Sequence, residues 1–138
     1  RIMQALPDTR VVPIPGPNAA VAALSISGIP AEQFTYLGFP PQKKGRETFF
    51  KKIADIPGTV VFYESKYRIE KTLEQLSRAL NARGQQRSVV VARELTKQFE
   101  TVYRGAVEHV LTLLRRDKVL GEFVVVLSPP IRIHPHDG

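Results

Sequence analysis

The sequence predicts an α/β domain in which a mixed parallel and antiparallel sheet is flanked by helices. Three observations lead there. Short runs of consecutive apolar residues, Val60-Val61-Phe62-Tyr63, Val89-Val90-Val91-Ala92 and Phe123 to Leu127, suit strands covered on both faces. Between them lie segments of helical period, the clearest being Ile69, Leu73, Leu76 and Leu80, spaced by four, three and four residues. The elements alternate except at one strand-to-strand step, which brings antiparallel pairing into an otherwise crossover-built sheet.

In chain order, Val11-Val12-Pro13-Ile14 reads as a short strand ended by the turn cluster Pro15-Gly16-Pro17-Asn18. Ala19 to Ser27 is apolar around much of its circumference, as in a helix buried on more than one side, with Pro17 in its first turn and Gly28 as its cap. Phe34 to Phe39 reads as a strand stopped by Pro40-Pro41. A helix opens in the run Lys43 to Lys52 and buries Phe49, Phe50, Ile53 and Ile56. After the strand Thr59 to Glu64, Ser65 is the expected N-cap of the Ile69 to Leu80 helix, and Gly84 lies just past its end. Ser88 to Arg93 is a buried strand and Gln98 to Arg104 its partner. Ala106 to Arg116 turns Val107, Val110, Leu111 and Leu114 inward before the last strand.

The chain has 138 residues, which fits one domain, expected over residues 10–128. Residues 1–9 read as a linker from a missing N-terminal domain, and residues 129–138 as a flexible tail. With no Cys, disulfide, thiolate-zinc and cysteine-nucleophile chemistry are excluded. No window approaches the roughly 18 consecutive apolar residues of a membrane span, so a cytoplasmic protein without a membrane partner is expected. A net charge of +7, from 20 Lys and Arg against 13 Asp and Glu, suits a polyanionic partner.

The common phosphate-loop, dinucleotide, nucleophile-elbow and zinc-protease signatures are missing. His109 lies on a helix, and His134 and His136 lie in the tail without a third ligand in fixed geometry, so no metal site is expected. Three patches remain. At Pro15 to Ala20, Gly16 lets backbone approach a ligand and a helix N-terminus offers free N–H groups, although a plain strand-to-helix connection reads equally well. Lys43, Lys44 and Arg46 cluster after a turn, where cations oppose the helix dipole unless they hold phosphates. Glu64 to Arg68 and Arg93 to Lys97 follow the ends of buried strands, where α/β sheets place ligands, with a structural ion-pair network as the alternative.

Together these motifs carry a resemblance. Pro15-Gly16-Pro17 with its Ala-rich helix, Ser27-Gly28-Ile29-Pro30, Gly38-Phe39-Pro40-Pro41, Lys43-Lys44-Gly45-Arg46, Phe62-Tyr63-Glu64-Ser65, Ala92 to Lys97, Phe99-Glu100-Thr101 and Gly121-Glu122 occur in one order. In that order they resemble the small-subunit ribosomal RNA methyltransferases of the tetrapyrrole methylase superfamily. The resemblance implies a two-domain, commonly dimeric enzyme that uses S-adenosylmethionine in a cleft between its domains. It would methylate the ribose 2′-hydroxyl of a cytidine in 16S ribosomal RNA of the 30S subunit, and this chain would be its C-terminal half, inactive alone. It further implies that Pro15, Gly16, Asn18, Ala19, Tyr63 and Ala92 line the cofactor cleft. Lys43, Lys44, Arg46, Arg68 and Arg93 are expected on RNA phosphates, and Glu64, Glu94 and Lys97 are candidates for polarising the hydroxyl. A domain that methylates corrin or porphyrin carbon, and a non-catalytic RNA-binding module, are the competing expectations.

Overall fold

A computed structural model describes residues 16–95, 98–117 and 121–131. The elements run α1 (Gly16–Ser27), β1 (Phe34–Tyr36), α2 (Arg46–Asp55), β2 (Thr59–Ser65), α3 (Ile69–Ala82), β3 (Ser88–Leu95), β4 (Gln98–Ala106), α4 (Val107–Arg116) and β5 (Glu122–Leu127). This is the expected order. The first expected strand, over residues 11–14, and the linker lie outside the described residues.

Among the described residues the sheet has five strands in the order β1-β2-β5-β3-β4. β1 runs parallel to β2, while β5 lies antiparallel to both β2 and β3, and β3 antiparallel to β4. The sheet is thus mixed, and its last strand in sequence occupies its centre. β1, β2 and β3 point the same way, so their C-terminal ends meet at one end of the sheet, beside the start of β5.

Period-two alternation sorts the strand residues to two faces. Val60, Phe62, Val89, Val91, Phe123, Val125 and Leu127 pack under α2, α3 and α4, where Phe50, Ile53, Leu73, Leu76, Val110 and Leu114 complete the larger core. Val61, Tyr63, Val90, Ala92, Val124 and Val126 face the other way, and α1 covers them with Ala20, Ala23 and Leu24. Among the described residues one helix therefore serves a face opposite three. α1 is apolar all round, as the sequence predicts, but Val21 and Ile26 on its outer side are exposed.

Some boundaries differ from expectation. The Lys43 to Lys52 run does not all lie in a helix: α2 starts at Arg46 because Gly45 takes a left-handed conformation (φ 85°), which leaves Lys43 and Lys44 in the preceding turn. That placement eases the conflict with the helix dipole. Ser65 is not the N-cap of α3. It opens a tight turn whose carbonyl accepts a hydrogen bond from Arg68 N–H at 3.1 Å, and Arg68 takes the cap position. Gly84 does close α3 as expected, with φ 63° and its N–H on Asn81 O. The expected strand to Phe39 shortens to Phe34–Tyr36, although Leu37 N–H still donates to Val61 O and Tyr63 N–H to Gly38 O. At the start of the expected tail, Ile131 N–H donates to Gln86 O at 2.7 Å; residues 132–138 lie outside the described set.

Candidate functional site

At the shared C-terminal end of β1, β2 and β3, two turns lie side by side. Residues 38–45 leave β1 and lead into α2, while residues 65–68 leave β2 and lead into α3. Arg46 fastens one to the other. Its guanidinium donates from Nη1 to Pro41 O (2.7 Å), from Nη2 to Thr72 Oγ1 (2.7 Å) and from Nε to Gln75 Oε1 (2.8 Å). Thr72 in turn donates to Glu64 Oε2 at 2.5 Å, and Glu64 Oε1 accepts the Ser65 N–H at 2.8 Å. Arg46 and Glu64 are 4% and 2% exposed, so both sit inside the protein on the three-helix face. Burial lowers the Arg46 pKa, Glu64 opposes that shift, and Arg68 adds to it.

The expectations for these two residues therefore need restating. Arg46 does not stand on the surface beside Lys43 and Lys44, where a phosphate would reach it, and Glu64 does not point to the face that carries Tyr63. The strand alternation that sends Tyr63 towards α1 sends Glu64 the opposite way. Both are fully engaged in joining the turns.

Lys43 and Lys44 are exposed at the tip of the first turn. The second presents Lys66, Tyr67 and Arg68. Tyr67 is 80% exposed, and Lys66 Nζ lies 5.2 Å from the centre of its ring. Arg93, half-buried near the end of β3, donates to Thr101 Oγ1 at 2.9 Å.

On the α1 face, Tyr63 meets Tyr36 edge to face at 5.6 Å and Phe39 at 5.5 Å. Burial raises the Tyr63 pKa well above the ordinary phenol range; Tyr36 and Glu94 add to this, and a hydrogen bond from the Ala20 backbone opposes it. Burial likewise raises Tyr36, whose hydroxyl lacks a well-formed hydrogen bond among the described residues. Tyr63 and Ala92 form a closed floor, 1% and 0% exposed, beneath the start of α1. Gly16 and Asn18 fall in the opening turn of that helix, and Ala19, half-buried, follows them. Pro15 and Lys97 lie outside the described residues.

Beside this floor the register places Glu94 of β3 directly opposite Glu122 of β5, with Ser65 of β2 on the other side of Glu122. Glu122 is exposed at the strand's start, yet partial desolvation of its carboxylate by the surrounding protein raises its pKa, Glu64 and Glu94 add to this, and Lys66 opposes them. Reading the sequence for chemistry did not single out Glu122 as a site residue. Its signal was a charged residue opening an apolar strand, but only the strand order puts it against Glu94.

Two cavities lie elsewhere. One of about 410 Å³ is lined by Ser77, Asn81, Arg87 and Glu108, and one of about 480 Å³ lies between α2 and α3 beside Lys51, Gln75 and Arg78. Arg87 is spent on the carbonyls of Ser128, Ile53 and Gly58. Among the described residues no group of three or more acidic, His or Cys side chains could hold a metal ion, and no helix is long and apolar enough to cross a membrane.

Comparison with known proteins fits this geometry. The chain is 44% identical over 122 residues to Ribosomal RNA small subunit methyltransferase I of Escherichia coli O157:H7, an alignment covering 86% of this chain and 42% of that protein. The protein of the same name from Xylella fastidiosa (strain 9a5c) is 43% identical, with 86% of this chain and 44% of the relative covered. The chain thus spans about two fifths of the length of the curated relatives it matches. The solved structure of a cobalamin biosynthetic enzyme, cobalt precorrin-4 methyltransferase CbiF, superposes with a TM-score of 0.54 at 17% identity, over 80% of this chain and 46% of that one, and so shares the fold. The family profile described as Tetrapyrrole (Corrin/Porphyrin) Methylases matches residues 1–111, and the chain belongs to that family.

Proposed function

We propose that this domain is the C-terminal half of an S-adenosylmethionine-dependent methyltransferase acting on a ribose 2′-hydroxyl of a cytidine in 16S ribosomal RNA of the 30S subunit. The observation that carries this reading is the meeting of two surfaces at one end of the sheet. The aromatic floor under the start of α1 borders a basic rim of the exposed Lys43 and Lys44 and the half-buried Lys66 and Arg68, in a chain 44% identical to a protein named as a ribosomal RNA methyltransferase.

The residues present suit one wall of a cofactor site. The opening turn of α1 has backbone N–H groups that the helix does not use, and the buried Tyr36 hydroxyl beneath it is short of a partner. When bound, S-adenosylmethionine supplies an electrophilic methyl group on a sulfonium. This chain's contribution is to hold the RNA ribose near that wall. The rim lysines neutralise phosphates, and orientation of the 2′-hydroxyl supplies the larger share of the rate. Of the polarising candidates, the reading favours Glu94, paired with Glu122 on the strand next to it, over Glu64, which is buried at 2% exposure. An RNA substrate accounts better than an acidic tetrapyrrole for paired lysines on a projecting turn. The opposite wall belongs to sequence beyond this domain, and a dimer is expected from the resemblance.

The test uses a longer protein containing this domain, with methyl-labelled S-adenosylmethionine and 30S subunits. Label is expected on a ribose 2′-oxygen, and this chain alone is expected to transfer none. Label on uroporphyrinogen in place of RNA would overturn the reading.

A further inference from the structure

We infer that Tyr67 is a stacking platform for a base of single-stranded RNA, set beside the nucleotide whose ribose is methylated. The inference rests on the RNA reading of the site and adds a residue that recognises the substrate by its bases rather than its phosphates.

The first argument is exposure. Tyr67 is the most exposed large side chain with aromatic or aliphatic character on the described surface, at 80%, whereas Tyr63 four residues earlier is 1% exposed. Nothing in the fold gains from a phenol ring in that position, since neither core includes it.

Rigidity is the second argument. The turn beneath the ring is fixed on both sides: Arg68 N–H donates to Ser65 O, Ser65 N–H to the buried Glu64 carboxylate, and Thr72 N–H to Arg68 O at 2.8 Å. The Arg46 network ties this turn to the one bearing Lys43 and Lys44. An aromatic on a braced turn loses little further freedom when a ligand arrives.

The third is electrostatic. Lys66 Nζ lies 5.2 Å from the ring centre while Tyr67 stays 80% exposed, and a cation over a ring strengthens its use beside a polyanion. Charge complementarity with Lys43, Lys44, Lys66 and Arg68 names the occupant as nucleic acid. The flat ring selects unpaired bases, because bases within a duplex are already stacked. Position supports a role near the reaction: four residues separate Tyr67 from Tyr63, at most about 14 Å of chain.

The chain has no Trp, so Tyr67→Trp creates a single indole reporter at this site. Binding of a fluorescein-labelled single-stranded oligocytidine to the 138-residue chain is followed by anisotropy across a salt series, and binding of the unlabelled RNA by the Trp emission. Stacking predicts that Tyr67→Ala weakens binding roughly 5- to 100-fold at every salt concentration without changing the salt slope. Tyr67→Phe should bind as the parent does, and Trp emission in Tyr67→Trp should be quenched on RNA addition. Equal affinity of Tyr67→Ala and the parent, or unchanged Trp emission while anisotropy reports binding, overturns the platform and leaves the RNA reading standing. No binding by the parent chain removes the RNA reading and the platform together.

Discussion

Arg46 Nη1 lies 3.9 Å from Glu64 Oε2, and Thr72 bridges the two, accepting from the arginine and donating to the carboxylate. Both charged groups are inside the protein, where a lone charge is far costlier than a pair. Removing one partner strands the other. Arg46→Ala is therefore expected to cost about 3–5 kcal/mol in denaturant unfolding, and Glu64→Gln less, because the amide still accepts hydrogen bonds. Replacing both, as Arg46→Met with Glu64→Leu, should recover much of the loss. Additive losses in the double variant would show that the two residues act independently.

Lys43 and Lys44 call for the opposite experiment. They are exposed and precede α2, so changing both to Ala should move stability by less than about 0.5 kcal/mol per site. In RNA binding the same variant should lower the slope of log affinity against log salt by roughly two phosphates' worth. An unchanged slope would place the lysines away from the RNA.

Tyr103 gives a signature at high pH. Burial, then its hydrogen bond to Asp117 at 2.5 Å, pushes its phenol up to about 12. An unfolded Tyr titrates near 10, so the folded state keeps a proton that the unfolded state releases. The resulting stability is complete below about pH 10 and is lost as pH rises towards 12. Across that window the parent should lose on the order of 2 kcal/mol more than Tyr103→Phe, measured by unfolding at fixed pH steps. Parallel curves would contradict the shift.

Glu122 predicts a gain. Like charges directly opposite on neighbouring strands destabilise a sheet, and Glu122 faces Glu94. Its carboxyl pKa is raised in the fold, so the repulsion is absent at low pH and grows as pH rises through its titration. Glu122→Gln should stabilise the neutral-pH protein by roughly 0.2–1 kcal/mol, with the advantage fading in acid. If the same variant of the longer protein also transfers methyl groups more slowly, the repulsion is maintained for function. A thermal midpoint that does not move at neutral pH would remove the argument.

Much of this was legible in the residues. The apolar runs at Val60 and Val89 located buried strands, and alternation along Phe62, Tyr63 and Glu64 already implied that Tyr63 and Glu64 face opposite ways. What hid Arg46 was its company: next to Lys43 and Lys44 it reads as one more surface cation. Its partners Glu64, Thr72 and Gln75 lie 18 to 29 residues away and come near only when α2 and α3 pack together. The pairing of Glu94 with Glu122 was hidden for a different reason. Strand order is a long-range choice that no local pattern encodes, and here it puts the last strand between β2 and β3.

That central position of β5 bears on how the domain is made. A ribosome delivers β2 and β3 long before residues 122–127, and until those arrive both strands lack a neighbour on their inner edges. Helices α2 to α4 have no completed sheet to lie on in that interval. Until then each of two apolar strands has a partner on one edge only, β1 for β2 and β4 for β3, and the open inner edges are of the kind that invites aggregation before β5 pairs with both.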